Sequence, residues 1–124
     1  MKVFVTGGTG FIGIQLVKRL AGMGITVHAL YRSESKADLI RMDGVILFRG
    51  DILDEDSLLA AMEGCEQAYH VAAFAAVWSK DPKLVYRLNV EGAMNVIRAS
   101  SRTGIRRVVV TSSAGILGPS VEDP

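Results

Sequence analysis

The sequence lacks the marks of a disulfide-stapled, nucleic-acid-binding or membrane-embedded chain. Cys65 is the only cysteine among 124 residues. One thiol can form neither an internal disulfide nor a cysteine cluster for zinc, which points to a reducing cytoplasm. Beside Gly64, just after an apparent helix, Cys65 reads as a small, semi-buried packing residue. Neither sign of charge is in excess: 14 basic and 13 acidic side chains leave a formal net charge of +1. There is no bulk electrostatic case for nucleic acid or an anionic membrane. The most apolar stretch, Val71 to Trp78, falls far short of the roughly 20 residues that span a bilayer. A single Lys2 before a glycine-broken apolar run does not read as a signal peptide. No repeat, low-complexity tract or linker is present. These absences leave one soluble, cytoplasmic globular domain, with ordinary apolar (49%) and charged (22%) shares.

What is present alternates short β-branched runs with longer helical patterns, the signature of βαβ units. Lys2 to Thr6 reads as a first strand, nearly continuously apolar as a strand covered on both faces should be. A helix over about Phe11 to Met23 follows, with Gly13, Leu16, Val17 and Leu20 on its inner stripe and Gly24 as terminator. Further strands are expected at Ile25–Tyr31, Val45–Phe48, Gln67–Val71 and Arg107–Thr111. Between them lie a short exposed helix within Ser33–Asp43 and a helix capped by Asp54 that carries Leu58, Leu59 and Met62 and stops at Gly64. A long helix opens at Asp81-Pro82 and runs to about Thr103, ending at Gly104. Right-handed crossovers then predict an α/β chain, a three-layer Rossmann fold with parallel sheet order 3-2-1-4-5 flanked by helices.

The loop after the first strand, Gly7-Gly8-Thr9-Gly10-Phe11-Ile12-Gly13, meets two overlapping glycine spacings. Such loops need a tight turn, close backbone approach to a pyrophosphate, and close packing of helix on strand. Its position, straight after a strand and opening an amphipathic helix, supports a dinucleotide cradle in which Gly7, Gly10, Phe11, Ile12 and Gly13 face the phosphates. Sites for NAD usually place an acid about 20 residues further on, against the ribose 2′-hydroxyl. Here that region reads Leu30-Tyr31-Arg32, with no acid before Glu34. Arg32 can instead pair with a 2′-phosphate through its planar fork, aided by Lys36, which favours NADP over NAD. The alternative is that both are ordinary surface cations.

Asp51 and Ile52, after the third strand, stand where an adenine would lie, as amine acceptor and ring cover, although a turn aspartate fits equally. Ala72 and Ala73 are small enough to let backbone approach a ribose, or to let a helix pack closely. In the long helix Val85, Asn89, Gly92, Val96 and Ala99 fall on one stripe, and an amide on a core-facing stripe needs partners. Asn89 is expected to hold a water or a neighbouring backbone group. Thr111-Ser112-Ser113 clusters hydroxyls at the end of the fifth strand, for a substrate oxygen or simply for a turn.

The motifs TGGTGFIG at 6–13, GDI at 50–52, HVAA at 70–73, NVEG at 89–92 and TSSAGILG at 111–118 together resemble the extended short-chain dehydrogenase/reductase family, also called the NAD-dependent epimerase/dehydratase family. The stretch VWSKDPKLVYRLNVEG is similar to its dihydroflavonol reductase-like branch. The resemblance covers the whole chain. It implies that Ser113 is the substrate-orienting hydroxyl, ahead of Ser112, and that Asn89 is its supporting amide. It also implies a tyrosine acid/base with a lysine four residues on. Tyr31, Tyr69 and Tyr86 are followed at that distance by Ser35, Ala73 and Val90. The expectation is therefore the amino-terminal, cofactor-binding part of a longer enzyme, truncated before the later strands and the substrate domain and inactive alone. The parent would be an NADP-dependent reductase acting on a small carbonyl or alcohol, or an NAD-dependent nucleotide-sugar epimerase/dehydratase. A non-catalytic dinucleotide-binding module and a bare folding fragment are the other readings. In the fragment the fifth strand would be an open edge, inviting self-association such as a homodimer. Neither a metal, a nucleic acid nor a membrane is expected as a partner.

Overall fold

A computed structural model of the chain describes residues 1–76 and 78–118. Val77, which opens the reductase-like stretch, and residues 119–124 lie outside the described residues. The strands are β1 (Lys2–Thr6), β2 (Thr26–Tyr31), β3 (Val45–Arg49), β4 (Gln67–His70) and β5 (Arg107–Val110). They form one sheet in the order β3-β2-β1-β4-β5, and every neighbouring pair is parallel. Because all run the same way, the loops that follow them gather along one edge.

Alternation along the central strands builds two cores. Val3 and Val5 of β1 with Val27 and Ala29 of β2 meet Val17 and Leu20 of α1 (Phe11–Gly22) on one face. Phe4 and Leu30 point to the other face, against Leu58, Ala61 and Met62 of α3 (Glu55–Met62) and Val96 and Ala99 of α5 (Gly92–Arg102). Helix, sheet and helix make the expected Rossmann layers. Helix-ending glycines stand at Gly24, Gly64 and Gly104, each with positive φ.

Three local expectations change. The segment after β2 is two short turns, α2 (Glu34–Ala37) and a 3-10 turn (Asp38–Ile40), rather than one exposed helix. Ala37 and Ile40 are fully buried, because this segment covers the sheet beside α1. Asp54 occupies the N-cap position of α3, but its side chain makes no cap bond. Ser57 ties that loop instead, its hydroxyl accepting from the Asp51 amide at 3.1 Å and donating to the Asp54 carbonyl at 2.8 Å. The long helix is interrupted: α4 (Pro82–Tyr86) leads into a π-helical turn over Arg87–Glu91 before α5 begins. Its start is as expected, with Asp81 Oδ1 accepting from the Leu84 amide at 3.1 Å.

Leu58 is fully buried between the sheet and α5. Leu58→Ala is expected to lower the unfolding free energy by about 2–5 kcal/mol, through lost transfer energy and the cavity left behind. A urea midpoint shift at unchanged slope checks this.

Candidate functional site

The loop from Gly7 to Gly13 carries two close backbone approaches, and that at Gly13 is the tightest at any glycine among the described residues. Gly7 has φ +69°, and a Cβ there would lie 2.5 Å from the Ala72 amide nitrogen. A Cβ at Gly13 would lie 1.8 Å from the Gly7 carbonyl oxygen. Neither position admits a side chain, so α1 and the β4 loop close directly onto the turn. Gly10 differs: a Cβ there would meet only the Gly7 carbonyl, at 3.4 Å, and its outer side is open. Gly10 is also the N-cap of α1 and supplies no capping side chain. The first-turn amides, at Phe11, Ile12 and Gly13, are the ones a helix cannot satisfy internally. No acid stands in that turn. An uncapped, acid-free helix start facing an open glycine is a fit for a pyrophosphate.

Thr6 fixes the two central strand ends. Its buried hydroxyl accepts from the amides of Val71 and Ala72, each at 3.2 Å, and contacts His70 Nδ1 at 2.7 Å. A neutral His70 with its proton on Nε2 lets Nδ1 accept from the Thr6 hydroxyl while the hydroxyl oxygen accepts from both amides. Burial holds the imidazole pKa below its ordinary value, in the same direction. Ala72 is half-buried against Gly7, and Ala73 is exposed.

At the adenine-side end, Arg32 and Asp51 meet: a guanidinium nitrogen of Arg32 lies 3.8 Å from Asp51 Oδ2, with side chains 68% and 39% exposed. Asp51 Oδ1 accepts from the Leu53 amide at 2.9 Å, so this residue is a turn aspartate and an ion-pair partner together. The Tyr31 hydroxyl donates to Glu34 at 2.7 Å, and that bond raises the tyrosine pKa. Ile52 departs from its expected placement. It is 7% exposed and packs into the core, where a Cβ on Gly92 would lie 2.5 Å from its Cδ1. Its carbonyl accepts from Asn95 Nδ2 at 3.0 Å.

Asn89 is not on the core-facing stripe. Gly92, Val96 and Ala99 are buried and Val85 half-buried, but Asn89 is exposed, since the wider π turn shifts the helical register around it. Its amide grips one backbone unit: Oδ1 accepts from the Phe74 amide at 2.8 Å, and Nδ2 donates to the Phe74 carbonyl at 3.1 Å. Ser113 caps a 3-10 turn (Ala114–Leu117) by accepting from the Gly115 amide at 3.1 Å, and both it and Ser112 are exposed. Thus Gly7–Gly13, Arg32, Asp51, Ala72 and Ser113 all follow carboxyl ends of strands, as Asn89 reaches in from the helix. Among the described residues no group of His, Cys, Asp or Glu is arranged to hold a metal, and no helix is long and apolar enough to cross a membrane. Sequence reasoning passed over Thr6 and Asn95, whose contacts bridge 65 and 43 positions and leave no local pattern.

The Thr6–His70 bond needs a neutral ring. Because the folded pKa is lowered, stability is present above the ordinary value of 6.5 and is lost as pH falls from there through the folded value. Melting temperature is expected to drop over that window, and His70→Asn should flatten the drop; an unchanged slope in the variant would count against this assignment.

Known proteins place this geometry. Residues 3–124 match the NAD dependent epimerase/dehydratase family. Cinnamoyl-CoA reductase 1 of Oryza sativa is 45% identical over 120 residues, which cover 91% of this chain and 34% of that protein. Dihydroflavonol 4-reductase of Zea mays is 37% identical over 123 residues, 91% of this chain and 34% of its own length. Among solved structures, UDP-glucose-4-epimerase from Stenotrophomonas maltophila, with bound NAD and formylated UDP-arabinopyranose, superposes with a TM-score of 0.84 at 27% identity, over 100% of this chain and 40% of that one. The chain spans about a third of the length of the curated relatives it matches. With the sheet order, the glycine loop and these matches in agreement, the chain belongs to the NAD dependent epimerase/dehydratase family.

Proposed function

We propose that residues 1–124 form the NADP-binding domain of a cytoplasmic carbonyl reductase. The observation that carries the cofactor choice is Arg32 at the carboxyl end of β2, where an NAD site usually places an acid. The nearby acid, Glu34, is engaged by the Tyr31 hydroxyl. The bound cofactor supplies hydride transfer at its nicotinamide carbon.

The chain's own residues do the holding. The amides of Phe11, Ile12 and Gly13 face the pyrophosphate across open Gly10, and Gly7 admits the Ala72–Ala73 backbone beside the ribose. Arg32 pairs with the 2′-phosphate, and Asp51 accepts from the adenine amine. Asn89 positions the Phe74 loop. Ser113, still free to donate its proton, orients a substrate oxygen. The reductase relatives and the apolar run at 71–76, with Trp78 72% exposed beyond it, support an apolar carbonyl or alcohol substrate. A nucleotide-sugar epimerase is the second reading, favoured by full coverage of this chain in the epimerase structure.

The 124-residue chain is expected to quench or enhance NADPH fluorescence on binding and to show no carbonyl reduction, since no tyrosine here has a lysine four residues on. Arg32→Ala should weaken NADPH by about tenfold or more, the scale of a hydrogen bond to a charged group, with NADH little changed. Equal losses for both cofactors would reject the NADP assignment.

A further inference from the structure

The Arg32–Asp51 pair joins two residues that face different parts of the same nucleotide. We infer that Asp51 is a specificity-determining counterweight: it holds the Arg32 guanidinium when no 2′-phosphate is present, and so lowers the preference for a phosphorylated ribose. The inference rests on the dinucleotide reading of the site and adds a rule of selectivity to it.

The surrounding charges make Asp51 the acid that matters. Glu34 accepts from the Tyr31 hydroxyl at 2.7 Å and Asp38 accepts from Arg41 at 3.0 Å, while Asp51 is the carboxylate paired with Arg32. Asp51 is held in place from below. Its Oδ1 accepts from the Leu53 amide, its own amide donates to Ser57, and Asn95 secures the neighbouring Ile52 carbonyl. Its Oδ2 is left facing Arg32. A ligand with a 2′-hydroxyl leaves this pair intact. A 2′-phosphate, carrying close to two negative charges, must draw the guanidinium from the carboxylate or bind beside a like charge. The cost falls on the phosphorylated ligand alone, which is a device for specificity rather than for affinity.

The experiment measures dissociation constants of NADPH and NADH for the unaltered chain and for Asp51→Asn, by fluorescence titration at low and high salt. Asparagine keeps the acceptor for the Leu53 amide, so the loop retains its tie. The ratio of NADH to NADPH dissociation constants should rise about two- to fivefold in Asp51→Asn, the coupling typical of an exposed ion pair. The rise should shrink at high salt. In an Arg32→Gln background, Asp51→Asn should raise the ratio less than it does in the unaltered chain, the difference being the coupling read by a double-mutant cycle. Asp38→Asn, which removes the same charge from a separate pair, should leave the ratio unchanged. Equal weakening of both cofactors, as from a purely adenine-binding or structural Asp51, would overturn the inference while leaving the cofactor site standing. Failure of the unaltered chain to bind either cofactor would overturn both.

Discussion

The molecule is organised by a distance that leaves no room for a side chain. Gly7 lies against the Ala72 backbone and Gly13 lies against the Gly7 carbonyl, both closer than any Cβ permits. This contact sets the seat of α1 on the sheet and brings the β4 loop to the turn. It also delivers the uncapped helix start to the edge where all five strands end. The Thr6 hydroxyl then locks the same junction, satisfying two amides that a loop leaving a strand would otherwise present unpaired. Backbone proximity therefore comes first, and the electrostatic character of the site follows from it.

The layers and the strand order were legible in the sequence because each depends on short-range pattern. Near-continuous apolar strands, an amphipathic Phe11–Gly22 and glycines at helix ends are local signals, and handedness does the rest. The glycine loop was legible for the same reason. What escaped was set by contacts across the chain. Ala37 and Ile40 sit among charged neighbours, and only the sheet above them shows that they are buried. The π turn over Arg87–Glu91 has no compositional mark, so the stripe drawn through Asn89 carried the wrong register. Ile52 is apolar beside an expected ligand, and the sequence does not say that Gly92 makes a slot for it.

Polar side chains in this edge mostly hold backbone. Asn89 pairs with Phe74, Asn95 with Ile52, Ser57 with Asp51, and Ser113 with Gly115. Each replaces a hydrogen bond that the sheet cannot extend past its strand ends. The loops are thereby ordered without a ligand, and less ordering entropy remains to be lost when one arrives. Arg32, largely exposed, is the exception, tethered by charge rather than by a fixed bond geometry.

The π turn has a consequence for how this helix can change. Asn89 faces the loop after β4, and Asn95 faces the loop after β3, so one helix registers both ends of the cleft. The wide turn, which carries Asn89 itself, sets the angular offset at which both amides reach their carbonyls. Losing Val90 or Glu91, the part of the turn between the two asparagines, would rotate one against the other by about 100°, the step of an ordinary helix. Both loops could then no longer be held at once. The spacing of the two asparagines, more than the identity of the residues between them, is what this geometry fixes, as the spacing of teeth is fixed between meshing gears.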